Sequence, residues 1–177
     1  MAYRGYSESE GIPSEPGLKL DGIAILEYIF SRGDIDTSKI FVLGRSLGGA
    51  VATYAVNNIK HEIAGLILEN TFTSIDDLVD VIFSYLSILK PFVLRNHWQT
   101  QKLIQDINCP ILFIKALKDE LIPPRMMNEL YIKAVNSKYR SVVIFNLNKF
   151  SMRYQRLDIM DLGWQKWKLI LRNLIHF

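Results

Sequence analysis

The chain has 177 residues, of which 49% are hydrophobic and 22% are charged, a composition typical of one globular domain rather than of a disordered or fibrous protein. We therefore predict a single domain over residues 1–177. The net charge of +3 is unevenly distributed, because residues 121–177 carry 10 Lys and Arg against 3 Asp and Glu, but no base-reading motif accompanies them and nucleic acid is not an expected partner.

The first third of the chain predicts a loop, a helix and a strand. Residues 3–17 are rich in Gly, Ser and Pro, which favour tight turns. Helical periodicity follows over residues 18–32, ends near Gly33, and places on one face the apolar residues Leu18, Ile25, Tyr28 and Ile29. The short apolar run Ile40 to Leu43 then predicts a buried strand.

The rest of the chain alternates apolar runs with helical patterns. Small residues after Ser46 predict a helix directly behind the strand. Further strands are predicted at 64–70, 111–117 and 141–147, with helices around 75–89, 97–107 and 125–136. Such alternation predicts right-handed crossovers and an α/β fold with a parallel sheet flanked by helices.

The segment Gly44-Arg45-Ser46-Leu47-Gly48 matches the pattern G-x-S-x-G between the predicted strand and helix. This is the context of a nucleophile elbow, where the glycines Gly44 and Gly48 leave room for a strained turn and Ser46 is the nucleophile. The Leu47 backbone N–H, at the positive end of the helix, would stabilise an oxyanion. The alternative is a glycine-containing turn with a serine N-cap.

Several longer stretches carry a family resemblance: "YRGYSESEG" with "PSE" and "GL", "KIFVLGRSLGGAVA", "ENTFTSI" and "DELIPPRMMNELY". Together they cover about residues 3–147 and resemble, in the same order, the family of α/β hydrolase domain-containing protein 13, the bem-type serine hydrolases. The resemblance implies a serine hydrolase of esters or acyl-protein thioesters, similar to depalmitoylating enzymes. It also implies a Ser, Asp, His triad and a membrane anchor upstream of the catalytic domain.

The resemblance assigns the triad acid to Asp119, in "KDELIPP" after the third predicted strand. Its carboxylate would orient the histidine and stabilise the imidazolium. Glu69, at the end of the second predicted strand, is the alternative acid, because a triad acid belongs at the carboxyl edge of the sheet. The adjacent Glu120 stays open as well, whereas Asp76 and Asp77 suit the capping of the next helix.

The triad base is missing where the family carries it. The region after the last predicted strand reads "NKFSMRYQRLDIM" and contains no histidine. His61 follows Ser46 by 15 residues, and a continuous helix would carry it ~22 Å away, whereas a base must come within ~3 Å of the serine. No base is identified, and the weak candidates are His97 and His176.

Neither remaining histidine suits a hydrolase triad. His97 precedes Asp119 in the chain, which reverses the acid-before-histidine order, and surface packing or capping is its alternative role. His176 lies on a predicted C-terminal helix, on the polar face with Lys168 and Arg172. The apolar face of that helix consists of Met160, Trp164, Trp167, Leu171 and Leu174.

The resemblance begins at residue 3, so the family's first strands, the loop with the second oxyanion donor and the membrane anchor have no counterpart here. We therefore expect a partial α/β-hydrolase fold lacking the first strands, with a hydrophobic edge exposed beside Ser46. We interpret the chain as truncated, with a divergent C-terminal tail. Catalysis is expected to be impaired, and the alternative function is that of a non-catalytic binding protein or fragment.

Other partners and cofactors leave few signals. Cys109 is the only cysteine, which excludes an internal disulfide and suits a small buried side chain. The sequence has no metal cluster, Walker loop or dinucleotide fingerprint, so no cofactor or metal is expected. No apolar run approaches the ~20 residues of a membrane span, and the N-terminus does not resemble a signal peptide. We expect a soluble or peripheral chain whose basic C-terminal helix could lie on a membrane.

Overall fold

Strands and helices alternate along the described part of the chain. The computed structural model describes residues 2–82 and 94–145, with the backbone of residues 154–156. Its elements are α1 (Glu15–Ser31), β1 (Phe41–Arg45), α2 (Leu47–Asn58), β2 (Gly65–Glu69), α3 (Ile75–Ile82), α4 (Thr100–Leu103), β3 (Ile111–Ala116), α5 (Pro124–Lys133), β4 (Arg140–Phe145) and β5 (Tyr154–Arg156).

The five strands form one sheet in the order β1-β2-β3-β4-β5. The first four strands are parallel, and β5 runs antiparallel to β4. The predicted α/β fold with a helix-flanked parallel sheet is confirmed, and the strands predicted at 64–70, 111–117 and 141–147 correspond to β2, β3 and β4. The three-residue β5 was not predicted, because "YQR" contains neither an apolar run nor a period-two alternation long enough to detect.

Strand β1 forms the outer edge of the described sheet. Its residues pair with β2 from Phe41 opposite Gly65 to Arg45 opposite Glu69. Leu43 is 52% exposed, whereas every residue of β2 before Glu69 is buried. The prediction of a buried strand over Ile40 to Leu43 was therefore wrong for Leu43, since one side of β1 has no neighbouring strand within residues 2–82 and 94–145. The expected exposed edge is present.

The main core lies between the sheet and the helices that follow its strands. It contains Leu66 and Leu68 of β2, Ile111 and Phe113 of β3, and Leu130 of α5, each completely or almost completely buried. Side chains alternate across a strand, so Ile67 and Leu112 face the opposite side of the sheet, where they form a smaller buried cluster. Burial on both faces explains why β2 and β3 are nearly continuous apolar runs.

Helix α1 packs on α2 through small residues. Ser14 caps the helix by accepting a hydrogen bond from the Gly17 amide, and a Cβ at Gly22 would lie only 2.9 Å from Val51 Cγ1. The close approach at Gly22 places Leu18 and Leu26, one helical turn to either side, on the buried face. The predicted face was therefore partly wrong, because Tyr28 points outward and is 57% exposed.

The remaining predicted helices are shorter than expected in the described residues. The 97–107 segment becomes α4 followed by a 3-10 turn at Ile104–Asp106, and the 125–136 segment becomes α5. Only α3 of the 75–89 segment is described, and the predicted C-terminal helix with His176 lies outside the described residues. In the described ranges, no helix combines the length and hydropathy that crossing a membrane requires.

A charge on the open edge tests whether β1 drives self-association. We expect Leu43→Lys to raise the soluble, monodisperse fraction, because a lysine on an edge strand opposes pairing with another chain. The matched control is Ile132→Lys on α5, where the side chain is 67% exposed but does not lie on a strand edge. Light scattering at equal concentrations measures the effect, and equal improvement in both variants would contradict a specific role of the edge.

Candidate active site

Ser46 forms the turn that joins β1 directly to α2. Its backbone has φ 52° and ψ −122°, a conformation that costs energy and persists only where the surroundings hold it. The Ser46 N–H donates to the Glu69 carbonyl at 3.0 Å, and the Ser46 carbonyl accepts from the Thr71 hydroxyl at 2.7 Å and from the Gly49 N–H at 3.0 Å. The candidate nucleophile is therefore held at the carboxyl edge of the sheet.

The glycines around Ser46 do not contribute equally to this turn. A Cβ at Gly44 would lie 2.3 Å from the Gly48 carbonyl oxygen, so this position has no room for a side chain. A Cβ at Gly48 would meet only the Tyr3 hydroxyl, at 3.7 Å, whereas one at Gly49 would lie 2.6 Å from Thr71 Cβ. The expected lack of room for a side chain is confirmed at Gly44. On the other side of Ser46 it occurs at Gly49 and not, as predicted, at Gly48.

The Leu47 N–H stands at the start of α2. Leu47 is the first residue of this helix, and the first N–H groups of an α-helix have no partner inside the helix. The same end of the helix carries the positive end of its dipole. The structure therefore places the candidate oxyanion donor where a negative charge beside Ser46 would be stabilised.

Asp119 lies just after β3, at the same edge of the sheet as Ser46. Its Oδ1 accepts hydrogen bonds from the amides of Leu121 and Ile122, at 2.9 and 2.8 Å, which fix the carboxyl group. Strand β2 lies between β1, which ends just before Ser46, and β3, which ends three residues before Asp119.

Glu69, the alternative acid, faces a cation. Its Oε1 lies 3.7 Å from Nε of Arg45, the residue opposite it on β1. Asp77 accepts the Thr73 hydroxyl at 2.6 Å, and its own amide donates to Ser74 Oγ at 3.0 Å. Glu69 therefore pairs across two strands, and the side chain that caps α3 is Ser74, so the prediction that Asp76 and Asp77 cap this helix was wrong.

His61 lies at the edge of the sheet opposite to the one that carries Ser46, so it is not placed for catalysis. It stands between the end of α2 and the start of β2, at the amino edge, opposite the edge that carries Ser46. Its ring stacks on Phe30 at a centroid distance of 4.3 Å, and its Nε2 lies 3.5 Å from a carboxylate oxygen of Glu27. Cys109 also precedes β3 at this edge, and burial raises the pKa of its thiol to about 11, which keeps it protonated at neutral pH.

His97 lies in the loop before α4 and pairs with a helix rather than with the serine turn. Its Nδ1 is 2.9 Å from Oδ2 of Asp76 on α3, and its carbonyl accepts the Ile75 amide at 2.8 Å. The chain neighbours Asn96 and Trp98 line a cleft that adjoins Leu47, whereas the exposed His97 ring is turned toward Asp76. His176 and residues 146–153, where the family carries its histidine, lie outside the described residues.

Glu15 is a positioning residue that the sequence analysis missed. Its Oε2 accepts the amides of His97 at 2.6 Å and Trp98 at 3.1 Å, and its Oε1 accepts Lys19 Nζ at 2.6 Å. Burial acts to raise the pKa of Glu15, but these hydrogen bonds outweigh it and hold the pKa below its ordinary value of 4.5. Residues 3–17 were predicted as a loop, but α1 begins at Glu15. Ser14 before Glu15 and Pro16 is a pattern typical of a helix start that could have indicated this, whereas the distant partners of Glu15 leave no local signal.

In residues 2–82 and 94–145, no cluster of His, Cys, Asp and Glu has the geometry to hold a metal ion. The described candidate site therefore consists of a serine on a strained turn, a helix N-terminus and a backbone-anchored aspartate. This set can supply a nucleophile, an oxyanion donor and an acid. Neither histidine of the described residues joins this set, since His61 lies at the opposite edge of the sheet and His97 pairs with Asp76.

The chain is similar in sequence to several curated proteins. The chain is 44% identical over 145 residues to the α/β hydrolase domain-containing protein WAV2 of Arabidopsis thaliana, covering 76% of this chain and 47% of that protein. It is 41% identical to protein bem46 of Schizosaccharomyces pombe, covering 74% and 44%. The lysophosphatidylserine lipase ABHD12 of Danio rerio is 30% identical, covering 77% and 39%. The chain thus spans less than half the length of each of these relatives, and no family model matches it.

Solved structures of α/β hydrolases share the fold. An α/β hydrolase from Vibrio vulnificus superposes with a TM-score of 0.65 at 23% identity, covering 79% of this chain and 53% of that one. Acetyl xylan esterase 1 from Thermoanaerobacterium superposes with a TM-score of 0.63 at 16% identity, covering 99% and 65%. At these identities the likeness describes the architecture alone.

Alanine substitutions at two adjacent glycines test which of them must lack a side chain for the turn to form. We expect Gly49→Ala to lower the free energy of unfolding by about 1–3 kcal/mol, because its Cβ would be forced against Thr71. Gly48→Ala, the matched control, should be neutral or slightly stabilising, since its Cβ has room and alanine favours a helix. Urea denaturation measures both, and an equal loss in the two variants would contradict the crowding at Gly49.

The Glu15 hydrogen bonds predict acid sensitivity. Because the folded pKa of Glu15 is lowered, its contribution is complete above the unfolded pKa and is lost as the pH falls through the folded pKa. Glu15→Gln should lower stability at pH 7 by about 1–2 kcal/mol and reduce the slope of stability against pH between neutral and acidic conditions. Glu27→Gln, on the exposed side of the same helix, is the control, and identical pH profiles for the two variants would contradict the role of Glu15.

Proposed function

Because the chain belongs to the bem46-type family of α/β hydrolases, we propose that its site is built for acyl transfer from an ester or an acyl-protein thioester. Ser46 is the nucleophile, the Leu47 N–H is the oxyanion donor and Asp119 is the acid. The observation that carries the proposal is the strained backbone of Ser46 between β1 and α2, because a turn held against its own energy cost is typical of functional sites.

The reaction follows from these positions. Ser46 Oγ bonds to the carbonyl carbon of the substrate while its proton passes to a base, and the Leu47 N–H stabilises the oxyanion of the tetrahedral intermediate. Collapse breaks the bond to the alcohol or thiol leaving group, which takes up the proton. Water then attacks the acyl-serine by the same route in reverse, and the products are a carboxylic acid and free Ser46.

We further propose that this chain performs the reaction poorly. Its three histidines are His61, His97 and His176, and the stretch "NKFSMRYQRLDIM" over residues 148–160, where the family resemblance expects the triad histidine, contains none. Removing the histidine from a serine triad lowers kcat by about 10⁶-fold, although the oxyanion donor and substrate binding still accelerate the reaction about 10³–10⁴-fold over water. Binding of acylated ligands without efficient turnover is the second candidate function, and the absent imidazole is the observation that favours it.

The proposal names a general class of substrates and, within it, one specific activity. Ester and acyl substrates suit the hydrolase relatives, one of which is named as a lysophosphatidylserine lipase. A depalmitoylase-like activity is the specific form that we propose. Association with a membrane surface through the basic C-terminal region belongs to the same proposal, since acylated proteins and lysophospholipids are found there.

Fluorophosphonate labelling tests the nucleophile and the missing base together. We expect slow labelling that depends on Ser46 and disappears in Ser46→Ala, whereas Ser38→Ala, in the exposed turn before β1, labels as the parent does. Added imidazole should accelerate labelling of the parent, because a small base can enter the position that the triad histidine would fill. The measurement is the labelling rate at a pH where imidazole is largely neutral.

Two outcomes would contradict the proposal. Labelling that persists unchanged in Ser46→Ala would exclude Ser46 as the nucleophile. Fast labelling of the parent that collapses in His97→Gln and gains nothing from imidazole in the parent would make His97 the base, and the triad would then not be incomplete.

A further inference from the structure

A cleft of about 420 Å³ lies beside the turn that carries Ser46. The start of α1, the first residue of α2, the first residue of α3 and the loop before α4 form its walls. Five of its lining residues are large and apolar: Leu18, Leu47, Ile75, Leu94 and Trp98. Small-molecule sites in proteins are mostly apolar clefts of about 300–1,000 Å³, so the size and lining both suit a bound ligand.

The floor of the cleft is preformed. Leu18 is 3% exposed and Trp98 is 4% exposed, and both belong to a buried cluster that includes Val51 of α2 and Met126 of α5. Trp98 has a positive φ of 43°, and the Glu15 carboxylate holds its backbone by accepting its N–H. These side chains are already ordered in the free protein, so ligand binding does not need to order them, which favours affinity.

Leu47 joins the cleft to the candidate catalytic turn. It follows Ser46 directly, its side chain lines the cleft, and its N–H is the candidate oxyanion donor. A carbonyl bound at that N–H has the cleft as its neighbour. Of its polar lining residues, Glu15 is occupied by hydrogen bonds from the His97 and Trp98 amides and from Lys19. The others are exposed, so a ligand would be apolar inside and polar at the entrance; they are Tyr6, Ser14, Arg95 and Asn96.

We propose that this cleft binds the hydrocarbon chain of a single-chain acyl ester or thioester, with the chain on Leu18, Ile75 and Trp98 and the acyl carbonyl at Ser46. The inference rests on the proposed acyl-transfer function and specifies its substrate. A volume near the lower end of the range for ligand sites favours one chain over two. The apolar floor rejects a polar acyl group, because polar atoms buried there would lose their hydrogen bonds to water.

Binding is measured separately from catalysis. In the Ser46→Ala variant, calorimetric titration with octanoate, decanoate and dodecanoate should show affinity rising about threefold to fourfold with each added methylene, since each buries further apolar surface. The carboxylate of these probes stands for the acyl carbonyl and its leaving oxygen. Affinity that does not depend on chain length would overturn the proposal.

A substitution that fills the cleft provides the second test. Ile75→Trp, made in the Ser46→Ala background, should weaken dodecanoate binding at least about tenfold, because the indole would occupy the space of the chain. Ile132→Trp introduces the same side chain on the exposed face of α5 and should bind as the parent does. Thermal unfolding of both variants verifies that they are folded, and unchanged binding by folded Ile75→Trp would overturn the assignment.

The two proposals fail in distinguishable ways. Chain-length-dependent binding that Ile75→Trp removes, together with no Ser46-dependent fluorophosphonate labelling, would keep the acyl cleft and reject the acyl-transfer function. Ser46-dependent labelling with no chain-length dependence would keep the nucleophile and reject the cleft. If Ile75→Trp binds poorly and has also lost its cooperative unfolding, a smaller Ile75→Phe variant repeats the comparison, and full dodecanoate affinity in that folded variant counts against the cleft.

Discussion

The structure depends on the close contact between the start of α2 and the ends of β1 and β2. At Gly44 the strand approaches the Gly48 carbonyl so closely that no side chain fits, and at Gly49 the helix rests directly on Thr71. This contact forces the chain to reverse within one residue. Ser46 adopts the strained backbone conformation, which is held by the hydrogen bonds of Ser46 to the Glu69 carbonyl and the Thr71 hydroxyl. The position of the candidate nucleophile is thus a result of core packing.

The other candidate groups lie at the same edge of the sheet as Ser46. Parallel strands have all their carboxyl ends at one edge of the sheet, so the residues that follow β1, β2 and β3 lie at that edge whatever the sequence of the connecting loops. Two backbone amides fix Asp119, and the Glu15 carboxylate fixes the loop that ends at Trp98. The site is therefore assembled from short, local anchors on a rigid sheet.

Sequence reasoning found what local patterns encode and missed what distant packing decides. The strands β2, β3 and β4 and the turn at Ser46 were readable from apolar runs and from G-x-S-x-G. The outward position of Tyr28 was not, because the face of α1 is chosen by the contact of Gly22 with Val51, a residue 29 positions away. The roles of Gly49 and Glu15 were hidden for the same reason, since their partners lie in other elements.

These packing relations also limit what the serine motif can prove. Gly44, Gly49 and Thr71 are required for α2 to seat on the sheet, so the strained turn would be retained by a chain that has lost its catalytic base. A nucleophile elbow therefore identifies the fold and the ancestry of the site more securely than its activity. The proposed triad also needs an imidazole, which packing does not require, and residues 148–160, where the family resemblance expects it, contain no histidine.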